Sequence, residues 1–287
     1  MTGGEIIAAG AGVGKAVLGE DASTKNQLAA MAADTPEMKA AAAAYARRVL
    51  LKQQILLRVY EPLAKLVGVS KEYFEHDFAA ELAEKIADIP DEFVTTPSPS
   101  VALPAMEGLA RSLEEPNLKE MYLNLLAAGT DGRRKDDAHP SFAEIIKQLS
   151  AEEAGLLADA LRLSPSGTPV VRMRAKNIGS PTGRGKNIGR HIVNWRDNGS
   201  REPANPHMGP VYVDNWVRLG LVHVSYEYDV AMPHVYDWAK NDPLVVQLRR
   251  RYRSWRTYIA VTRGRMDITD FGARFGAAVL ERRTEKQ

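Results

Sequence analysis

Histidines with an arginine a few positions upstream are the residues best suited to act on a phosphodiester. An Arg-x4-6-His pair offers a guanidinium that can hold a phosphate and an imidazole that can move a proton. Arg134 and His139, Arg184 and His191, Arg201 and His207, and Arg218 and His223 all satisfy that spacing. So many matches, in a chain with 6 histidines and many arginines, discriminate little. Pro140 also makes His139 a helix start, which leaves Arg134 in the loop before it rather than one turn away.

Other chemistries lack their anchors. The histidines are dispersed, with no i, i+4 pair for a helical metal site, and Asp136, Asp137 and His139 read as a solvated loop. No Gly-x-Ser-x-Gly elbow occurs. Gly10 to Lys15, GAGVGK, departs from a phosphate-binding loop: Ala9 stands at the first glycine and Ala16 where a magnesium-binding hydroxyl belongs. No catalytic residue, metal site or cofactor is assigned.

Basic residues interleaved with aromatics carry the remaining signal. Arg184, Lys186 and Arg190 lie in a glycine-rich segment, and Arg249, Arg250, Arg251 and Arg253 alternate with Tyr252 and Trp255, followed by Arg256. Arginines can contact phosphates while aromatic faces stack on exposed bases, which suits weakly sequence-specific binding of DNA or RNA. A solvated helix face whose aromatics pack inward is the alternative. Charge is asymmetric: residues 1–163 hold 17 Lys+Arg against 25 Asp+Glu (17 − 25 = −8), and residues 164–287 hold 21 against 11 (21 − 11 = +10), which could steer the C-terminal part towards phosphate, an anionic surface or an acidic partner but is read first as structural or solubilising. The same asymmetry could hold the two parts together.

The elements that must position these residues follow from spacing and caps. With 287 residues, 45% hydrophobic and 26% charged, the chain can bury a real core. It has no cysteine, so disulfides and thiolate zinc sites are excluded. No signal peptide and no run of about 18 apolar residues is read, so a cytoplasmic protein without a membrane span is expected. Residues 1–34 read as a flexible or weakly helical N-terminus and 35–89 as a helical domain. Its first helix opens at Thr35-Pro36 with Met38, Ala42, Tyr45, Val49, Leu56 and Tyr60 inward and Lys52 among the polar positions, and Pro62 should kink or end it before a stop at Gly68. A second single helix over 71–89 carries Tyr73, Phe74, Phe78, Leu82 and Ile86 on one stripe, with His76 off it.

Proline-rich 90–100 reads as a linker, and 101–163 as a helical hub around Leu103 to Leu157. Within the hub Pro116 and Pro140 start helices, Gly129 stops one, and Ser150 with Glu153 forms a capping box. From 164 to 280 the texture becomes α+β. Thr168 to Arg174 is a strand, and Ala175 to Asn205 a long loop or irregular extension. A short helix stopped by Gly220 and the strand LVHVSYEY come next, then a helix from Asp242-Pro243. A hairpin turning near Arg263-Gly264 leads to a helix capped by Thr269 or Asp270. Residues 281–287 are a tail. The fold class is therefore mainly α, α+β overall, with a winged-helix-like C-terminal part.

The hub resembles the Abi-alpha family, the abortive-infection alpha proteins of bacterial anti-phage defence. The matching features are Tyr122-Leu-Asn-Leu-Leu-Ala-Ala128, His139-Pro-Ser-Phe142, and Glu144-Ile-Ile-Lys-Gln-Leu-Ser150 leading into Glu153-Ala154 and Leu157. Arg218-Leu-Gly-Leu-Val222 and Gly264 to Phe275, with Thr269 and Gly272, are similar to the family's later part. The likeness covers roughly residues 100 to 280. It implies a soluble, mostly helical defence protein and brings no catalytic residues with it. The expected function is defence by binding or sensing a phage or host component, with DNA or RNA as a partner of the basic part and a homo-oligomer possible. A winged-helix-like nucleic-acid-binding regulator and an RNase-type toxin are the alternatives.

Overall fold

The computed structural model describes residues 36–64, 71–161, 167–179, 185–195 and 208–280. The GAGVGK segment, the Gly68 stop and Arg184 lie outside the described residues. Helix α1, Pro36–Ala64, has proline at its first position, where the missing N–H costs nothing. Its apolar stripe is covered only in the C-terminal half: Leu56 and Tyr60 are buried, whereas Tyr45, Leu50 and Leu51 face solvent. Lys52 departs from its expected polar position. It is 2% exposed, and its long stem carries the ammonium to Asp91, 2.5 Å away.

The helix expected over 71–89 breaks at Asp77 into α2, Lys71–His76, and α3, Phe78–Lys85. The break brings Tyr73, Phe74 and Phe78 together edge-on, with Phe74 and Phe78 5.1 Å apart, and Tyr60 of α1 meets Phe78 at 5.2 Å. A short 3-10 turn at Asp91–Phe93 leads into extended chain, where Thr95 N–H donates to Thr130 O at 2.9 Å and Gly132 N–H to Phe93 O at 2.7 Å.

Helix α4, Pro99–Arg111, starts earlier than Leu103-Pro104 and carries Pro104 inside, at the loss of one backbone hydrogen bond. Helix α5, Pro116–Thr130, is buried nearly all round: besides Leu118, Met121, Tyr122, Leu125 and Leu126, it hides Leu123 and everything from Ala127 to Thr130. Gly129 does not stop it; the missing side chain instead lets Pro97 and Val101 approach. Around α5 stand α3, α4, α6 (Ser141–Ile146) and α7 (Ala151–Leu161). The capping box is present: Ser150 Oγ accepts from Glu153 N–H at 3.2 Å, and Glu153 Oε2 accepts from Ser150 N–H at 3.3 Å.

The C-terminal part is a curled antiparallel sheet in the order β2-β1-β4-β3, from β1 Thr168–Asn177, β2 Gly185–Val193, β3 Val222–Ser225 and β4 Thr257–Ile268. Two expectations are corrected here. Much of the supposed loop after Ala175 is the strand pair β1–β2, antiparallel from Lys176 opposite Gly185 to Val170 opposite Val193, with the register slipping around Met173. The supposed hairpin at Arg263-Gly264 is one continuous strand; Gly264 is required because a Cβ there would strike Ser225 O and the Tyr226 ring. Helix α8, Gly209–Arg218, ends ahead of Gly220 in the left-handed region, φ 73. Helix α9 spans Pro243–Tyr252, and α10, Asp270–Val279, is capped by Thr269 Oγ1, which accepts from Gly272 N–H at 2.8 Å.

Strand alternation divides the sheet's two sides. Val170, Val193, Val222 and Met266 join a core running from Leu56 to Val279, whereas Val171, Met173 and Ile192 join a second core closed by Tyr236, Leu244 and Val245. The mainly α, α+β class follows directly.

Gly108 of α4 supplies a test, since a Cβ there would overlap the Tyr122 ring of α5. Helix propensity alone favours Gly108→Ala by about 1 kcal/mol. Overpacking predicts the opposite, a loss of roughly 1–3 kcal/mol seen as a lower Tm. Adding Tyr122→Leu should recover part of that loss.

Candidate polyanion-binding surface

Helix α9 is aimed by its buried start. Asp242 caps it, its carboxylate accepting from Val245 N–H at 3.0 Å, and burial pushes that carboxyl pKa up. Leu244 and Val245 enter the second core, and Leu248 lies against the bare backbone of Gly189 on β2. Arg249, Arg250 and Arg251 therefore leave from the last turn, where the helix dipole favours cations. The chain then makes a braced turn, in which Thr257 Oγ1 donates to Tyr252 O at 2.9 Å and meets Ser254 Oγ at 2.9 Å. This turn holds Trp255 81% exposed, with the Arg256 guanidinium 4.3 Å from its ring centroid.

The structure brings several of the sequence-derived residues together. Lys186 arrives from β2, its Nζ 6.0 Å from the Tyr252 ring, and the Arg251 guanidinium lies 5.7 Å from the same ring. Arg249, Arg250, Arg253 and Trp255 share this end of α9 and its turn. Arg190 stands apart, towards the other end of β2, where its charge acts on His191.

A second set was missed by sequence reading: Arg172, Arg174 and Lys176 alternate along β1 and so share one side of the sheet, opposite to α9. Their period-2 spacing was visible. Beside Arg172 lies Tyr226, whose ring centroid is 4.4 Å from the guanidinium. Tyr226 Oη accepts from His191 N–H at 3.0 Å and meets His191 Nδ1 at 3.1 Å, while His191 Nε2 is 3.2 Å from Asp214 on α8. Burial lowers the His191 pKa, the Asp214 carboxylate opposing it, and burial raises the Tyr226 phenol.

Among the Arg–His matches, Arg134, His139 and Arg218 have structural partners. Arg134 binds Asp137 at 3.1 Å and donates to Ala277 O at 2.8 Å, and His139 Nδ1 accepts from Ser141 N–H at 3.2 Å at the start of α6. Arg218 donates to Gln148 and Asn215, at 2.9 and 2.7 Å. Arg201 and His207 lie outside the described residues.

Ion pairing differs between the parts. In the helical part, residues 36–161, Lys52, Lys85, Lys119, Arg133, Arg134 and Lys147 each face a carboxylate. Among the described residues of 167–280, the lysines and arginines that do so are Lys240 and Arg265. Among the described residues, the cations around Trp255 and along β1 have no carboxylate partner.

A family model described as abortive infection alpha matches residues 70–279, which takes in every element from α2 to α10. The chain belongs to the abortive infection alpha family. The match reaches about thirty residues further towards the N-terminus than the hub resemblance, adding the aromatic cluster of α2 and α3. No curated protein and no solved structure matches this abortive infection alpha chain. Among its described residues no helix is long and apolar enough to cross a membrane, and no group of three or more His, Asp or Glu is placed to hold a metal.

The lowered His191 pKa sets a pH dependence. The folded protein binds this proton more weakly than the unfolded chain, so stability falls as pH drops below about 6.5 towards the folded value. His191→Asn tolerates the left-handed backbone, φ 49, and removes the titration. Its Tm should fall less than that of the wild type between about pH 7 and pH 5, and parallel curves would refute the assignment.

Proposed function

We propose that this abortive infection alpha protein acts in anti-phage defence by binding a polyanionic phage or host component, with single-stranded nucleic acid the chemistry that fits best. The observation that carries this reading is Trp255, 81% exposed and flanked by arginines that have no carboxylate partner among the described residues. An indole left in water on a braced turn is a stacking platform for a base, and unpaired guanidiniums contribute most where they displace counterions from phosphates. The expected alternative of a solvated helix face with inward-packed aromatics suits Tyr252, which is half-buried, and does not suit Trp255. In a winged-helix-like reading of this part, the β1–β2 hairpin is the wing, and it presents Lys186 to the same surface.

Plaquing on a broad phage panel tests the biological half of the proposal. Cells expressing the wild type should plate at least one phage less efficiently, and the variant Arg250→Gln, Arg251→Gln, Trp255→Ala should restore plating at equal protein level. In vitro the same variant should bind an oligonucleotide at least tenfold more weakly, since losing one stacked base costs about 1–3 kcal/mol. Equal plating with and without the gene counts against defence, and unchanged oligonucleotide affinity in the variant counts against this surface.

A further inference from the structure

The side of the sheet that packs on the hub continues past its last core residue. On β1, Val170 is in the core, and Arg172, Arg174 and Lys176 follow on the same side, paired in register with Thr262, Ala260 and Tyr258 of β4. The Arg172 side chain has no hydrogen bond or ion pair among the described residues, and its Nε is buried without a partner. Arg174 donates once, to Gly185 O at 3.3 Å, and its Nε is likewise buried and unpartnered. A buried donor without an acceptor is uncommon in folded proteins, because each costs about 1–3 kcal/mol.

The Arg172 guanidinium is nevertheless held in one place. It lies over Tyr226, whose ring rests where Gly264 leaves the β4 backbone bare. The Tyr226 hydroxyl is fixed by His191, which itself adopts φ 49, a conformation unfavourable for a non-glycine residue. The nearby carboxylate, Asp214, is engaged by His191 Nε2. Buried unsatisfied donors, backbone strain and uncompensated positive charge thus coincide at one spot, and stacking pre-orients the guanidinium fork for a planar two-point contact.

We propose that Arg172 and Arg174, with Lys176 at the rim, form a binding site for a phosphate ester. The donor set is cationic and offers no acceptor to a neutral ligand, and forked guanidiniums match phosphate oxygens. The site is on the side of the sheet opposite to α9 and does not depend on Trp255 being used.

Calorimetric titration with adenosine 5′-monophosphate, adenosine and a short oligothymidylate lacking a terminal phosphate tests the site. The proteins are the wild type, Arg172→Gln, Arg172→Lys, Arg174→Gln and Trp255→Ala, each with its Tm measured. Adenosine should not bind. Arg172→Gln should weaken the phosphate ligand about tenfold or more, the loss of one charge-assisted forked contact. Arg172→Lys, which keeps charge and loses the fork, should fall between, and Trp255→Ala should leave the monophosphate affinity unchanged. A loss seen with the monophosphate assigns a free nucleotide as ligand, and a loss seen with oligothymidylate alone assigns a nucleic-acid backbone. If Arg172→Gln lowers Tm, Arg174→Gln gives the deciding comparison. Affinities for both ligands equal to wild type in these variants would overturn the proposal.

Discussion

Helix α5 has almost no side to give to water, and that constraint places nearly everything else. A helix apolar on most of its circumference must be surrounded, so α3, α4, α6, α7 and α10 all pack on it. The packing is fastened by polar contacts at its edges: Tyr60 Oη meets Thr130 Oγ1 at 2.8 Å, and Asn124 donates to the Val279 carbonyl at 3.0 Å. The last of these ties the C-terminal helix to the hub across 155 positions of sequence. Because α10 directly follows β4, closing the hub also fixes the sheet.

The sheet is thereby committed unequally. Its inner end is covered on both sides, by the hub on one and by α9 with Tyr236 on the other. Its outer end carries cations on both sides, Arg172, Arg174 and Lys176 on the hub side and Lys186 with the arginines of α9 on the other. In the helical part Lys52, Lys119, Arg133 and Arg134 face carboxylates, whereas among the described residues these outer-end cations do not. Unpaired surface cations gain little from their own protein and produce a field that attracts anions over about one Debye length. Among the described residues, the cations at this outer end have no carboxylate partner.

Much of the fold was legible because caps and spacing are local. Pro36, Ser150 with Glu153, Asp242 and Thr269 mark helix starts by the same hydrogen bonds that the structure shows or by proline's fixed φ. What failed was decided by distant partners. Gly185 to Val193 has too little β-branched alternation to announce a strand, and it is one because β1 offers a ladder. Gly264 looks like a turn residue until Tyr226 is seen lying on it. Lys52 belongs to a basic run in sequence, yet Asp91 draws it inward. The Arg249 to Trp255 cluster could be read because its members are neighbours in the chain. The Arg172 site could not: alternation shows which residues share a side, and only the packed hub shows that the side ends in unsatisfied donors.

The measurement that bears most directly on this account is the salt dependence of single-stranded RNA binding by the full chain, followed by fluorescence anisotropy between about 50 and 200 mM salt. Binding at low salt, with log affinity falling linearly in log salt by roughly 0.7 per phosphate neutralised, is the predicted result. No binding at about 50 mM salt, or an affinity that does not change with salt, would contradict it.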